Sequence, residues 1–170
     1  MPFHIIVICL FSAFLAYSCA GPAPRAWVCT VEITSDGPFE LELFYRSSRE
    51  QGFDASRRVK AYKAHHSSPE IYQITLPDTV PLIDLRLDLG SDSTLEKVQI
   101  HKLILKNKGG KIEIPAEELP HFFSVNNFAI FGTQPGCIKV SPDKGRFDPF
   151  LKAKPILQHR LQMTQKGIWY

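Results

Sequence analysis

The chain has 170 residues and a formal net charge of +3, with basic and acidic residues interleaved. That balance lacks the basic footprint of nucleic-acid-binding proteins, so we expect no nucleic-acid partner. Thirteen prolines, ten glycines and twelve phenylalanines favour an all-β fold with many turns. Without an N-terminal targeting segment about 150 residues remain, enough for one domain with a substantial core.

The N-terminal segment predicts export. Residues 5–17 form a continuous apolar run, IIVICLFSAFLAY. The run is too short to span a bilayer comfortably and matches the core of a signal peptide in length. We therefore assign residues 1–20 to a signal peptide and residues 21–26 to a tether.

Two fates of this leader are open. Ser18 and Ala20 suit ordinary cleavage before Gly21, which gives a soluble secreted or periplasmic protein. Alternatively, the sequence LAYSC resembles a bacterial lipobox, and the small-residue and proline tether that follows it is typical of lipoproteins. Acyl chains on Cys19 hold a protein at the cell-envelope membrane without a spanning helix. We favour the lipid-anchored form.

The four cysteines leave one disulfide to consider. Cys9 and Cys19 belong to the leader, so Cys29 and Cys137 remain in the domain. Each lies on a predicted strand, and an exported protein allows them to pair. The alternative is two separate buried thiols.

Polar and apolar residues alternate through the first half of the domain, which predicts β-strands. The turn residues Asp36, Gly37 and Pro38 separate the first two strands. A polar loop follows the second strand, and the third is weakly apolar and basic, which suits a sheet edge. The predicted strands are 27–33, 39–46, 57–66 and 71–76.

Residues 80–107 carry the strongest alternation in the chain. Ile83, Leu85, Leu87 and Leu89 face one way and alternate with Asp84, Arg86 and Asp88. After a turn at residues 90–94, a second strand has an odd step between Ile100 and Leu103, which predicts a β-bulge at His101–Lys102. We expect these two core strands to form the pair around which the fold is built.

The remaining elements complete a sandwich. Asn107–Gly110 predicts a hairpin turn into a strand at 111–114, and Pro115–Leu119 is the single predicted helix. Two short strands follow, at 127–132 and 136–141. The total of about nine strands predicts an all-β, two-sheet antiparallel β-sandwich of jelly-roll type. It spans residues 27–157, and residues 158–170 form a basic C-terminal tail that we expect to be loose.

The sequence gives little support for catalysis. Adjacent His65 and His66 on a strand point to opposite faces, and no histidine pair has the spacing of a zinc-binding helix. There is no Gly-x-Ser-x-Gly or Cys-x-x-Cys motif. We therefore predict a non-enzymatic protein without metal or cofactor. The distant alternative is a glycoside hydrolase that uses two of the outward carboxylates Glu40, Glu42, Asp84 and Asp88.

Four residues are candidates for ligand binding. Phe44 and Tyr62 lie opposite the apolar stripe of their strands, so we expect exposed rings on which a sugar can stack. Arg86 and Asp88 lie two residues apart on one strand face, so we expect neighbouring side chains in an exposed ion pair. That pair has a structural role or belongs to the ligand site.

Several motifs resemble a known domain type: ELELFYR, ITLPD, IDLRLDLG, VQIHKLILKNKGGKIEI and GRFDPF. Together, over residues 39–150, they look like a small β-sandwich domain of envelope lipoproteins of Bacteroidetes-type bacteria, which is also appended to some membrane glycosyltransferases. The resemblance implies a carbohydrate-binding-module-like sandwich, and it does not imply a catalytic centre. The expected ligand is therefore a glycan. The alternative is a structural or interaction subunit that binds another envelope protein through a sheet edge or the basic tail.

Overall fold

The computed structural model describes residues 26–37, 40–49, 52–65, 68–77, 81–143 and 145–168, with only the backbone described at Tyr62–His65. These residues form two antiparallel sheets, of seven and five strands, around one apolar core. The predicted all-β, sandwich-like fold is confirmed at this level.

The chain passes several times from one sheet to the other. The strands are β1 (Val28–Ser35), β2 (Glu42–Arg46), β3 (Arg58–Lys60), β4 (Tyr62–His65), β5 (Glu70–Thr75), β6 (Asp84–Asp88), β7 (Lys97–Asn107), β8 (Gly110–Pro115), β9 (Phe123–Val125), β10 (Ala129–Phe131), β11 (Cys137–Val140) and β12 (Phe150–Ala153). Short 3-10 turns lie at Ala55–Arg57 and Ala116–Glu118, and the helices are α1 (Leu119–Phe122) and α2 (Pro155–Gln165).

The strand order places β6 and β7 at the centre of their sheets. The seven-stranded sheet runs β10-β11-β7-β1-β5-β4, with β8 also paired to β7, and the five-stranded sheet runs β3-β2-β6-β12-β9. The described residues thus form twelve strands in place of about nine. The predicted strand 57–66 divides at Ala61 into β3 and β4, which lie at the edges of different sheets. Strands β9 and β12 are too short for alternation to reveal them.

The expected pairing of the two core strands is wrong, because β6 and β7 lie in different sheets. Leu85 and Leu87 on β6 and Leu89 directly after it are fully buried, and so are the inward residues of β7. Leu95 is also buried, so the segment between the strands crosses the end of the sandwich rather than closing a tight hairpin. Alternation identifies the buried face of a strand but not its partner.

The predicted bulge is confirmed. Glu32 on β1 lies opposite Lys102, whereas Ile33 lies opposite Ile100, so His101 is the extra residue on β7. The bulge moves the inward face from Ile100 to Leu103, and both side chains are fully buried.

The turn after β7 and the helical segment after β8 also form as expected. The side-chain oxygen of Asn107 accepts hydrogen bonds from the backbone N–H groups of Gly109 (2.8 Å) and Gly110 (3.1 Å). The Pro115–Leu119 segment forms the 3-10 turn and continues into α1. Phe122 and Phe123 at its end are fully buried and fix it to the core.

The expectation of loose chain beyond Leu157 is wrong over residues 158–165, which belong to α2. The helix buries a narrow stripe formed by Leu157, Leu161 and Thr164. Because the rest of its sequence is mostly polar, the helical periodicity is weak in the sequence. In the amide orientation that satisfies its neighbours, the Gln165 oxygen accepts hydrogen bonds from Trp27 Nε1 (2.7 Å) and the Leu82 backbone N–H (2.6 Å). These contacts hold the end of α2 against the start of the domain.

Of the two alternatives for Cys29 and Cys137, the structure shows two separate buried thiols and not a disulfide. Cys29 lies opposite Leu105 on one side of β7, and Cys137 lies opposite Gln99 on the other side. The cysteines are thus about 20 Å apart along the strand direction, where a disulfide needs a Cα separation below about 7 Å. Burial raises the pKa of the Cys29 thiol to about 12, so this thiol stays protonated.

The leader lies outside the described residues, and with it Cys19 and the tether up to residue 25. Within the described ranges, neither helix is of a length and apolarity that would let it cross a membrane.

The hairpin between β7 and β8 requires glycine at Gly109. A Cβ there would lie 2.0 Å from the Thr164 carbonyl oxygen of α2, whereas a Cβ at Gly52 has no atom within 4 Å. We expect Gly109→Ala to lower the free energy of unfolding by about 2 kcal/mol, because helix and hairpin must separate. Urea denaturation measures the change, with Gly52→Ala as the control. Equal midpoints for the two variants would contradict the close approach.

Candidate functional site

A depression of about 360 Å³ lies on the outer face of the five-stranded sheet, at the end where β6 leaves it. We call it the outer-face depression. Its principal lining side chains are Glu42, Phe44, Arg58, Lys60, Arg86 and Asp88.

The register of three strands brings these residues together. Glu42 on β2 lies opposite Lys60 on β3 and opposite Asp88 on β6. In the next outward row, Phe44 lies opposite both Arg58 and Arg86. Residues directly opposite on antiparallel strands share a face and touch, so the two rows form one continuous surface.

Arg86 is held rigidly at the centre of this surface. Its Nε and Nη2 atoms donate to the two carboxylate oxygens of Asp88 at 2.7 and 2.6 Å. Its Cζ atom lies 4.4 Å from the ring centroid of Phe44 and 4.5 Å from that of Phe150. The predicted Arg86–Asp88 contact is therefore present, but it is not exposed, since the two side chains are only 19% and 11% accessible.

The exposed ring expected at Phe44 is absent. Phe44 is 8% accessible, because Arg86 lies over it and the Arg58 Cζ atom is 5.9 Å from its centroid. Tyr62 lies on β4 in the other sheet, and its side chain is outside the described atoms. The strands that carry Phe44 and Tyr62 therefore lie in different sheets, and Phe44 supports the arginine.

Asp88 is the carboxylate most affected by its surroundings. Burial raises the pKa of Asp88 to about 6; hydrogen bonding and charge from Arg86 act against that rise, and the charges of Asp148 and Glu42 add to it. At Asp88, the positive charge of Arg86 only partly offsets burial and the negative charges of Asp148 and Glu42. A ligand that donates hydrogen bonds to this carboxylate would relieve the imbalance.

The rim of the depression is more open. Glu42 contacts Arg58 at 3.3 Å and Lys60 at 3.4 Å, and Lys60 also contacts Glu40 at 3.3 Å. Lys60 and Glu40 are more than half exposed, and ion pairs of this kind are worth about 1 kcal/mol or less. These rim side chains can therefore exchange a protein partner for a ligand at small cost.

Asp84 does not belong to the depression. It is 1% accessible, although we expected a solvated outer face. Arg46 covers its carboxylate in an ion pair, and Phe53 lies over Arg46 with its centroid 5.1 Å from the Cζ atom. Of the four outward carboxylates, Glu40, Glu42 and Asp88 line the depression, and Asp84 is a buried structural partner.

Sequence reasoning missed several residues of this surface. Phe150 and Asp148 are distant in the chain and reach β6 only because β12 pairs with it. Arg58 is brought in by β3. The signal that the sequence offers for these two residues is the motif GRFDPF, which contains Asp148 and Phe150. No grouping of His, Cys, Asp or Glu in the described part of the chain has the geometry of a metal site.

Comparison of the chain with protein-family models, curated proteins and solved structures returns no match. The candidate site is therefore inferred from the geometry of this chain alone.

We expect Asp88 to titrate with a pKa of about 6. Asp148→Asn should lower this pKa by removing a nearby negative charge, and Arg86→Gln should raise it by removing the cation that favours ionisation. Carboxyl-carbon NMR measures both shifts. Asp92 is a suitable control, because hydrogen bonds from Thr94 lower its pKa.

The same shift sets the sign of a stability effect. Between the ordinary pKa of 3.8 and about 6, the folded state binds the Asp88 proton more tightly than the unfolded state. The contribution of Asp88 to the free energy of unfolding therefore falls as the pH rises through this window. Asp88→Asn should remove that slope, and an unchanged slope would contradict the assignment.

Proposed function

We propose that the protein is an exported, lipid-anchored and non-enzymatic envelope protein that binds glycan in the outer-face depression. The observation that carries the proposal is the buried, bidentate Arg86–Asp88 pair at the floor of a polar depression. The resemblance to a carbohydrate-binding-module-like sandwich supports the same ligand class.

The chemistry of the depression suits sugar hydroxyl groups. A hydroxyl both donates and accepts hydrogen bonds, and Arg86 and Asp88 present fixed donors and acceptors side by side. Glu42, Arg58 and Lys60 add further groups of both kinds at the rim. Convergent polar groups in a partly apolar depression are what orients a small ligand, and Phe44 and Phe150 supply its apolar part.

The carboxylates favour binding over hydrolysis. Glu42 and Asp88 are cross-strand neighbours, the arrangement that a glycosidase pair would need. However, Asp88 is bound to Arg86 through both oxygens, and Glu42 contacts two cations. Burial raises the pKa of Asp88 to about 6, which would suit a general acid, but Arg86 occupies both carboxylate oxygens, so neither is free to pass a proton to a leaving group. We therefore retain the non-enzymatic assignment.

The proposal also includes a jelly-roll arrangement of the strands and a lipid anchor at Cys19. The chain passes repeatedly between the two sheets, as from β1 to β2 and from β6 to β7, which supports a jelly-roll arrangement. The apolar leader and the lipobox-like residues before Cys19 support acylation at that cysteine.

A glycan array measures the proposed activity directly. We expect binding by the wild type and a loss of affinity of about tenfold or more in Arg86→Gln and Asp88→Asn, because each variant leaves a charged hydrogen-bonding partner unpaired. Arg160→Gln is the matched control, since Arg160 lies 4.6 Å from the Phe122 centroid but outside the depression. If both variants still bind glycan as tightly as the wild type, the outer-face depression is not the glycan site.

A uniformly negative array would instead favour another envelope protein as the partner. Ile130, 60% exposed on the edge strand β10, is the side chain at which that contact would be sought.

Labelling of expressing cells with a palmitate analogue checks the anchor. We expect the wild type to be labelled and Cys19→Ser to be unlabelled, because the thiol at that position is the acceptor. Cys137→Ser should keep its label, since this cysteine is buried in the folded domain. An unlabelled wild type would favour the soluble secreted or periplasmic form.

A further inference from the structure

Cationic side chains gather at the end of the seven-stranded sheet where β7 turns into β8. Lys106, Lys108 and Lys111 belong to this hairpin, and all three are exposed. The α2 terminus lies against the same hairpin, because the Thr164 carbonyl oxygen approaches Gly109. We define the hairpin surface as Lys106, Lys108, Lys111, Lys166 and Ile168.

The charge on this surface is poorly compensated. Lys106 and Lys111 lie directly opposite each other on β7 and β8, an arrangement of like charges that destabilises a sheet. Glu113 contacts Lys111 at 2.5 Å, and among the described residues that line the groove between β8 and α2 it is the one carboxylate. Arg160 lines that groove as well and adds a further positive charge.

The two basic surfaces of the molecule differ in kind. The outer-face depression contains arginines fixed by carboxylates and rings, which suits recognition of a defined shape. The hairpin surface contains exposed lysines, which are mobile point charges suited to a diffuse anionic partner. Ile168, 43% exposed beside Lys111, adds an apolar side chain to the same surface.

The start of the domain lies at this end. Val28, the first residue of β1, is opposite Lys106. The path from Cys19 to Trp27 is about eight residues long and spans at most roughly 28 Å when fully extended. An anchor at Cys19 therefore allows the hairpin surface to approach the bilayer to within about 10 Å, the distance over which the surface potential acts.

The outer-face depression lies toward the opposite end. Strand β6 ends at Asp88, and the following segment leads to Lys97 at the start of β7. The hairpin is at the other end of β7, after Asn107. With the hairpin against a membrane, the depression faces away from it.

From these observations, we propose that the hairpin surface docks on an anionic lipid bilayer and orients the anchored domain on it. The orientation rests on the proposed anchor at Cys19, whereas the attraction to anionic lipid rests on the lysines alone. The glycan-binding proposal does not enter the argument for the attraction.

Vesicle partitioning of the full chain tests the proposal. The ratio of binding to phosphatidylcholine–phosphatidylglycerol vesicles over pure phosphatidylcholine vesicles cancels the contribution of the leader or acyl chains, which insert in both. We expect the triple variant Lys106→Gln, Lys108→Gln, Lys166→Gln to lower this ratio about a hundredfold, at about fivefold for each lysine near an anionic surface. High salt should lower the wild-type ratio in the same direction.

The matched control removes three charges elsewhere. Lys97 and Lys139 are a second cross-strand lysine pair, at the far end of β7, and Lys152 lies on the other sheet. The triple variant Lys97→Gln, Lys139→Gln, Lys152→Gln should keep most of the ratio. An equal loss in both triple variants would show that overall charge is responsible and would overturn the proposal.

Two further outcomes would also overturn it. One is a wild-type ratio near one. The other is lysine-dependent binding to a soluble acidic polysaccharide without any preference for anionic vesicles, which would assign the surface to an acidic polymer.

Failure of the anchor proposal or of the glycan-binding proposal gives different experimental results. Loss of the anchor in Cys19→Ser lowers binding to both vesicle types and leaves their ratio unchanged. Loss of glycan binding in Arg86→Gln appears only on the array.

Discussion

Strand β6 contributes side chains both to the apolar core and to the candidate site, and it therefore links the fold to the binding surface. Successive side chains of a strand point to opposite faces, so one short segment contributes both to the core and to the site. Leu85 and Leu87 point inward and are fully buried, whereas Arg86 and Asp88 point outward and join through two hydrogen bonds. Because β6 is central in its sheet, neighbours on both sides complete each surface.

Burial on the outer face is what distinguishes this pair from an ordinary surface ion pair. Removing charges from water is costly, and the cost is met only when the geometry is good and the remaining groups are satisfied. At Arg86, two phenylalanine rings from neighbouring strands cover the guanidinium and a carboxylate satisfies it. The unfavourable electrostatic interactions that remain lie at Asp88, where burial and the charges of Asp148 and Glu42 raise the pKa of the carboxyl. A surface arranged in this way is more consistent with a binding site than with a solvated sheet face.

Two clusters of basic side chains lie at opposite ends of the sandwich. Fixed arginines lie at the end where β6 leaves the five-stranded sheet, and exposed lysines lie at the β7–β8 hairpin, where the chain enters the domain. In the proposed functions, membrane docking and glycan binding therefore do not compete for the same side chains. The fold imposes the separation, since β7 runs from one end of the sandwich to the other.

The β class, the buried face of most strands, the bulge at His101 and the hairpin at Asn107 could all be predicted from the sequence, because each follows from alternation or turn chemistry within a few residues. The contact between Arg86 and Asp88 was predictable for the same reason, since they are two residues apart on one strand. The pairing of strands was not predictable in this way, and it is the pairing that puts β6 and β7 in different sheets and keeps Cys29 and Cys137 apart. The same pairing buried Phe44 and brought Arg58 and Phe150 to the site, because the contacts of an outward side chain depend on neighbouring strands that local periodicity does not specify.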